Sequence, residues 1–203
     1  MRAGLWTALG ALAISAIAMP AVAQSDKTVA NLKAAYIGES TASAKYAAYA
    51  RKADQEGFGA AAALFRAASL AEKIHAANHK SELADLGVTD PKPGKYTATP
   101  GATAANIQDA FKGETYEKDV MYPKMIKEAE AEGQDGALRS FTYAIEAEKQ
   151  HAVLYAAALK ELATVKSKAT YFVCPVCGST YKGSAPTDCP VCARSKDEFI
   201  KVK

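Results

Sequence analysis

The chain has 203 residues, 25 of them basic and 22 acidic, with 49% hydrophobic content and a net charge of +3. Lysines are scattered among aspartates and glutamates rather than clustered, which excludes a nucleic-acid-binding signature. The length suits one bundle-sized domain plus a small module.

The first stretch reads as a targeting segment. Met1-Arg2 is a short positive start, Leu5 to Met19 is uncharged and mostly apolar, and Ala21-Val22-Ala23 fits the small-residue cleavage pattern. The apolar run is short for crossing a bilayer, so no stable membrane span is expected after cleavage. Residues 1–23 are expected to leave as a signal peptide and to send the protein to the periplasm or otherwise outside the cell. No twin-arginine signature is present, which implies export unfolded and metal loading afterwards. Removing 23 of the 203 residues leaves 180, with 24 basic and 22 acidic side chains.

Residues 28–56 predict a first helix, because Leu32, Tyr36, Glu39, Ser43 and Tyr46 recur at three- and four-residue spacing. Gly57-Phe58-Gly59 predicts the turn. A second helix is expected over 60–86, carrying Glu72 and His75 and stopping at Gly87. His79, four residues after His75, falls on the same side; it reads as an extra ligand, a donor behind the ligands or, most simply, a polar neighbour at the bundle end. Residues 87–103 hold Asp90-Pro91-Lys92-Pro93-Gly94 and Pro100-Gly101, a long crossover without helical pattern. The third helix is expected from a Thr103 cap to Glu132, kinked at Pro123. The fourth is expected from an Asp135 cap through 136–165. Alanine is abundant across residues 30–165, which suits closely packed helices. One long connection between the second and third helices is the ferritin-like bundle arrangement.

The two halves of this bundle repeat each other. Gly38-Glu39-Ser40 matches Gly113-Glu114-Thr115 after 75 residues. Tyr46 matches Tyr122, Glu56-Gly57 matches Glu132-Gly133, and Glu72/His75 match Glu148/His151, all after 76. Residues at i and i+3 share a helix face, so each Glu-x-x-His can address one ion. Glu, Glu-x-x-His, Glu, Glu-x-x-His from four helices is the ligand set of di-iron or di-manganese carboxylate bundles. Anionic oxygens bridge two divalent ions, and a neutral imidazole on each limits the negative charge. Glu117, three residues after Glu114, has only Ala42 as its counterpart, so it is a spare carboxylate able to move on and off a metal.

From Tyr171 onward the chain changes character. Cys174-Pro175-Val176-Cys177 and Cys189-Pro190-Val191-Cys192 form C-x2-C-x11-C-x2-C in a segment too short for an apolar core. A tetrahedral metal is expected to hold it together. Spacing leaves open a zinc ribbon, a single iron on four thiolates, or disulfides in an oxidising compartment.

Together these residues resemble a rubrerythrin over about residues 28–203. The resemblance implies an all-α four-helix bundle, ferritin-like with one long crossover, followed by a small C-terminal rubredoxin-like metal ribbon. Its domains are then 24–166 and 167–203. By that resemblance Glu72 and Glu148 bridge two irons, Glu39 is terminal on the first, and Glu114 and His151 serve the second. His75 and Glu117 exchange on the first iron, and Tyr46 and Tyr122 line the site. Cys174, Cys177, Cys189 and Cys192 hold one further iron, with zinc the alternative. The implied activity is reduction of hydrogen peroxide to water. Diferrous iron supplies two electrons, and the four-thiolate iron returns them singly from an unidentified external donor to the bundle of a partner subunit in a homodimer. Two features depart from the family pattern. The loop Gly178–Asp188 is one residue short, and Ala193 stands where a glycine is usual. Rival readings are a ferroxidase or iron-handling protein with the same ligands, and a zinc-ribbon binding protein with a structural bundle.

Overall fold

We describe a computed structural model, in which residue 1 and residues 26–161 and 166–203 are described. The leader and its cleavage point lie outside them. Helix α1 (Asp26–Gln55) and α2 (Gly59–Asp85) form an antiparallel hairpin. The crossover leads to α3 (Thr103–Tyr116), a π-helical turn (Glu117–Met121) and α4 (Tyr122–Ala131), which together make the third long helix. Helix α5 (Asp135–Lys160) completes the bundle, ending short of the expected Val165; residues 162–165 lie outside the described part.

Small residues let α1 and α2 approach closely. Ser43 Oγ donates to the Ser69 carbonyl and Ser69 Oγ donates to the Ser43 carbonyl, both at 2.8 Å. Alanines 60–63, 67, 68 and 71 are buried along the same helix. Two apolar clusters result. One gathers Tyr46, Tyr49, Phe65, Ile107 and Tyr155; the other gathers Leu32, Tyr36, Leu83, Tyr122, Met125 and Phe141. The repeated carboxylates occupy the helix middles between them.

The expected caps are not the ones used. Ala102 and Gln134 precede α3 and α5 without side-chain capping bonds, and Thr103 and Asp135 are already helical. Instead each half closes the other. The amide and hydroxyl of Thr103 donate to Glu56 at 2.8 and 2.6 Å, and those of Thr28 donate to Glu132 at 3.0 and 2.6 Å. A long-range carboxylate thus satisfies helix-start amides that a local cap would normally take. The Thr103 hydroxyl, with its amide and Lys52 beside it, lowers the Glu56 carboxyl to about 2. The irregularity expected at Pro123 appears as the π turn just before it, a place where one extra residue enters the helix and Pro has no amide to give.

The C-terminal segment forms a three-stranded antiparallel sheet, β1 (Tyr171–Val173), β2 (Thr180–Lys182) and β3 (Ile200–Val202), in the order β2-β1-β3. Its own buried cluster is Cys174, Cys177, Ala185, Cys189 and Phe199. Tyr171 and Val173 instead join the bundle core, so the module sits directly on the helices of its own chain.

Candidate metal centres

Six side chains meet in the bundle interior. Glu39 comes from α1, Glu72 and His75 from α2, Glu114 from α3, and Glu148 and His151 from α5; none is more than 1% exposed. They fall into two groups, Glu39, Glu72, His75, Glu148 and Glu72, Glu114, Glu148, His151, in each of which the donor atoms lie within 4.8 Å of one another. Glu72 and Glu148 belong to both. That is the geometry of two ions side by side with two shared carboxylates.

The residues fit such a pair. Glu39 Oε2, Glu72 Oε1, Glu114 Oε2 and Glu148 Oε1 are buried with no hydrogen bond of good geometry among the described residues; the last three have only a histidine Nδ1 near them, at 3.4, 3.4 and 3.0 Å. Burying four carboxylates with orphaned oxygens costs several kcal/mol each unless a cation compensates. In the metal-free protein protons substitute for it. Burial, then the nearby Glu117, Glu72 and Glu148, push the Glu39 carboxyl well above the usual range. Burial opposes charge on His75, but Glu148 and Glu72 outweigh it and raise the imidazole to about 10. His151 is likewise raised by Glu114, Glu148 and Glu72 against its burial.

Both histidines turn Nδ1 inward. His75 Nδ1 lies 2.9 Å from Glu72 and 3.0 Å from Glu148, and His151 Nδ1 lies 2.9 Å from Glu148. Their outer nitrogens are held by the C-terminal module. His75 Nε2 donates to the Cys177 carbonyl at 3.2 Å, and His151 Nε2 donates to Thr180 Oγ1 at 3.0 Å. An imidazole fixed as the Nε2–H tautomer presents a bare Nδ1 lone pair to a metal. Thr180 is held in turn, its amide donating to Gln150 at 2.7 Å and its hydroxyl to the Gly178 carbonyl at 2.9 Å.

Two tyrosines orient the terminal glutamates across the pseudo-twofold. Tyr46 of the first half donates to Glu114 Oε1 of the second at 2.7 Å, and Tyr122 of the second donates to Glu39 Oε1 of the first. In each case the other carboxylate oxygen is one of the orphans. Burial and then the facing carboxylate raise both phenols well above their ordinary range, so both stay neutral donors. Glu117, on the π turn, lies outside both groups, yet it adds to the raised Glu39 carboxyl, and its own carboxyl is raised by burial and by Glu114 and Glu148. Of the two side chains expected to alternate on the first ion, His75 stands in the set and Glu117 stands beside it. His79 is in neither group and is fully buried rather than a neighbour at the bundle end. Its four-residue spacing from His75 was the signal for a place behind the ligands.

The four thiols form a separate centre. They are free, and their sulfurs lie within 4.8 Å of one another. Cys174–Cys192 and Cys177–Cys189 sulfurs are 3.4 and 3.5 Å apart. A disulfide needs about 2.05 Å, whereas four sulfurs about 2.3 Å from one ion stand about 3.8 Å apart; the spacing is that of a metal site. A hydrogen bond from Cys177 lowers the Cys174 thiol to about 5, while burial pushes Cys192 up to about 11. Both knuckles close alike: Gly178 N donates to the Cys174 carbonyl and Ala193 N to the Cys189 carbonyl. Gly178 has φ +76°, and a Cβ there would stand 2.3 Å from His75 Nε2. Only glycine permits both the turn and the contact. Ala193 adopts the same left-handed conformation, φ 59°, with a side chain.

A carboxylate-bridged pair of metal positions in a ferritin-like bundle, abutting a four-thiolate ribbon, defines an iron-binding oxidoreductase class. The rubrerythrin family model matches residues 30–159, and the model for the rubrerythrin rubredoxin-like domain matches residues 172–200. The chain belongs to the rubrerythrin family. It is 37% identical to nigerythrin of Nitratidesulfovibrio vulgaris over 172 residues, 85% of each chain. With rubrerythrin-2 of Clostridium acetobutylicum it shares 36% over 177 residues, 83% of this chain and 92% of the relative. The structure of nigerythrin in its fully reduced, all-ferrous state superposes with a TM-score of 0.81 at 36% identity, over 86% of each chain. A bacterioferritin of Desulfovibrio desulfuricans, at 21% identity and TM-score 0.65, shares the bundle fold.

Proposed function

We propose that this protein reduces hydrogen peroxide to water at the bundle site, using electrons relayed from the four-cysteine centre. The observation that carries the reading is the contact between the two centres. Cys177 is one of the four thiols, and its carbonyl accepts from His75, whose other nitrogen faces the carboxylates. Reduction of H2O2 to two waters consumes two electrons and two protons. Irons held by the carboxylates and histidines would supply both electrons at one place, and an iron held by Cys174, Cys177, Cys189 and Cys192 would restore them singly.

The remaining work falls to the chain. Tyr46 and Tyr122 hold Glu114 and Glu39 so that one oxygen of each faces the site. Cys177 and Thr180 hold the Nε2 proton of both histidines, so Nδ1 is the nitrogen that would give up its proton to a metal. The flanking apolar clusters keep bulk water away, and the half-buried Glu117, its carboxyl raised by burial and by Glu114 and Glu148, stands where it could carry a proton to the site. A ferroxidase with these ligands has no need of a built-in electron return, so the docked module favours the peroxidase reading over iron handling. A zinc ribbon would leave the module redox-silent.

The test is the visible spectrum of the anaerobically reduced protein after a small addition of hydrogen peroxide. Rapid return of the red ferric tetrathiolate colour is the expected result. No colour at any stage, or oxidation faster with dioxygen and Fe(II) than with peroxide, overturns the reading. Export belongs to the proposal through residues 1–23 and is checked by the N-terminus of the periplasmic protein, expected at Gln24. A homodimer also belongs to it, checked by sedimentation. Since the module touches its own bundle, electron relay needs no second chain to make that contact.

A further inference from the structure

The two tyrosines that hold the terminal glutamates have different neighbours behind them. Register 76 pairs position 79 with 155 and position 64 with 140. Behind Tyr46 stands Tyr155, with ring centroids 5.8 Å apart, and the Tyr155 hydroxyl is buried without a partner among the described residues. Behind Tyr122 stands His79, whose Nε2 is 3.0 Å from the Tyr122 hydroxyl and whose Nδ1 is 2.8 Å from Ser140 Oγ. The counterpart of Ser140 in the first half is Leu64, which has no group to offer a hydrogen bond.

The direction of this chain follows from valence. A carboxylate ligating a cation has no proton to give, so Glu39 only accepts and Tyr122 donates to it. The Tyr122 oxygen is then left to accept, which requires His79 to carry its proton on Nε2. Nδ1 of His79 is therefore the acceptor and Ser140 its donor. Every donor points at Glu39. We propose that His79, locked by Ser140, is a positioning residue that makes Tyr122 a fixed donor to Glu39 Oε1 and so reserves Glu39 Oε2 for the first metal ion. The second half-site lacks this lock, and among the described residues the Tyr46 hydroxyl is hydrogen-bonded to the Glu114 carboxylate alone. The asymmetry falls on the ion position that His75 serves, beside Glu117.

This inference rests on the two-ion reading of the bundle and not on the peroxidase reaction. The chain has three histidines, all at this site, so the full-length protein loaded with zinc(II) gives three imidazole nitrogen patterns by NMR. His79 is identified by its loss in His79→Gln. The expected pattern at neutral pH is an uncharged Nε2–H imidazole not bound to zinc; an Nδ1–H or charged His79 overturns the proposal. Competition titration with zinc is the second readout. His79→Phe is expected to weaken one of the two bundle ions about tenfold, the scale at which outer partners of metal ligands act, and to leave the other unchanged. His79→Gln, whose amide can donate to Tyr122 and accept from Ser140, is expected to restore it. Tyr155→Phe is expected to change neither. Equal affinities in His79→Phe and the natural protein, or failure of the glutamine variant to rescue, overturn the proposal. A natural protein that takes no zinc in the bundle overturns the two-ion reading and this inference with it.

Discussion

The bundle and the C-terminal module hold metal in opposite ways. The bundle has two apolar clusters that pack without any ion, and it buries carboxylates between them as a local electrostatic burden. In the module, three of the five buried cluster members are themselves the cysteines. There the ion is the core. A fold that exists before its metal can choose protons instead, whereas a fold that depends on metal has no such alternative. The two are nonetheless joined, because the module supplies the outer hydrogen bonds of both bundle histidines.

Cys177→Ser should separate the regions most sharply. The module is expected to lose its ion and its sheet while far-UV circular dichroism still reports the helices; peroxide turnover with an external donor should stop. Complete loss of helix would make the bundle depend on the module and erase the contrast. Glu148→Ala, which removes a carboxylate common to both ion positions, is expected to empty the bundle and abolish peroxide reduction while the four-cysteine spectrum persists. Unchanged activity would refute the assignment of the site.

Metal uptake by the bundle should also carry a proton signature. His75, raised to about 10, and the raised Glu39 and Glu117 carboxyls hold protons in the metal-free state. An incoming ion must expel them, so bundle affinity should rise with pH, with protons released in calorimetry compared across buffers. A pH-independent affinity would contradict the picture of protons substituting for metal. Smaller again, Ala193→Gly should stabilise the module by about 1 kcal/mol, because an alanine at φ 59° is strained where glycine is not. Thermal release of the four-cysteine ion would read it; no gain would show the strain absorbed elsewhere. Least is the Glu56 contact, which is only half-buried. Its depressed carboxyl contributes stability that is present above the ordinary carboxylate range and is lost as pH falls toward about 2. Thr103→Val should shift acid unfolding upward in pH.

Much of this was legible because the repeat prints ligand register directly. A 76-residue offset with Glu-x-x-His in both copies leaves little choice of face, and the structure brings Glu39, Glu72, His75, Glu114, Glu148 and His151 together. The two Cys-Pro-Val-Cys knuckles were equally plain, and even the spare Glu117 and Pro123 marked where the helix departs from regularity. What stayed hidden depends on contacts distant in sequence. Thr103 and Asp135 looked like caps because capping is normally local, and the Glu56 and Glu132 that replace them come from the opposite half. The docking of the module is carried partly by a backbone carbonyl, that of Cys177, which has no side-chain signature. His79 was visible as a position but not as a role, since its partners Tyr122 and Ser140 lie 43 and 61 residues away.

The crossed closure of Thr28 on Glu132 and Thr103 on Glu56 says something about ancestry. A single helical hairpin of this design can neither finish its own helix start nor surround an ion by itself. It needs a twin. Two such hairpins related by a twofold axis would complete each other at both ends and in the middle, as a small obligate pair. The crossover of residues 87–102 is then a suture between former partners, and what came after the joining is what the halves no longer share: Glu117 opposite Ala42, and His79 opposite Tyr155.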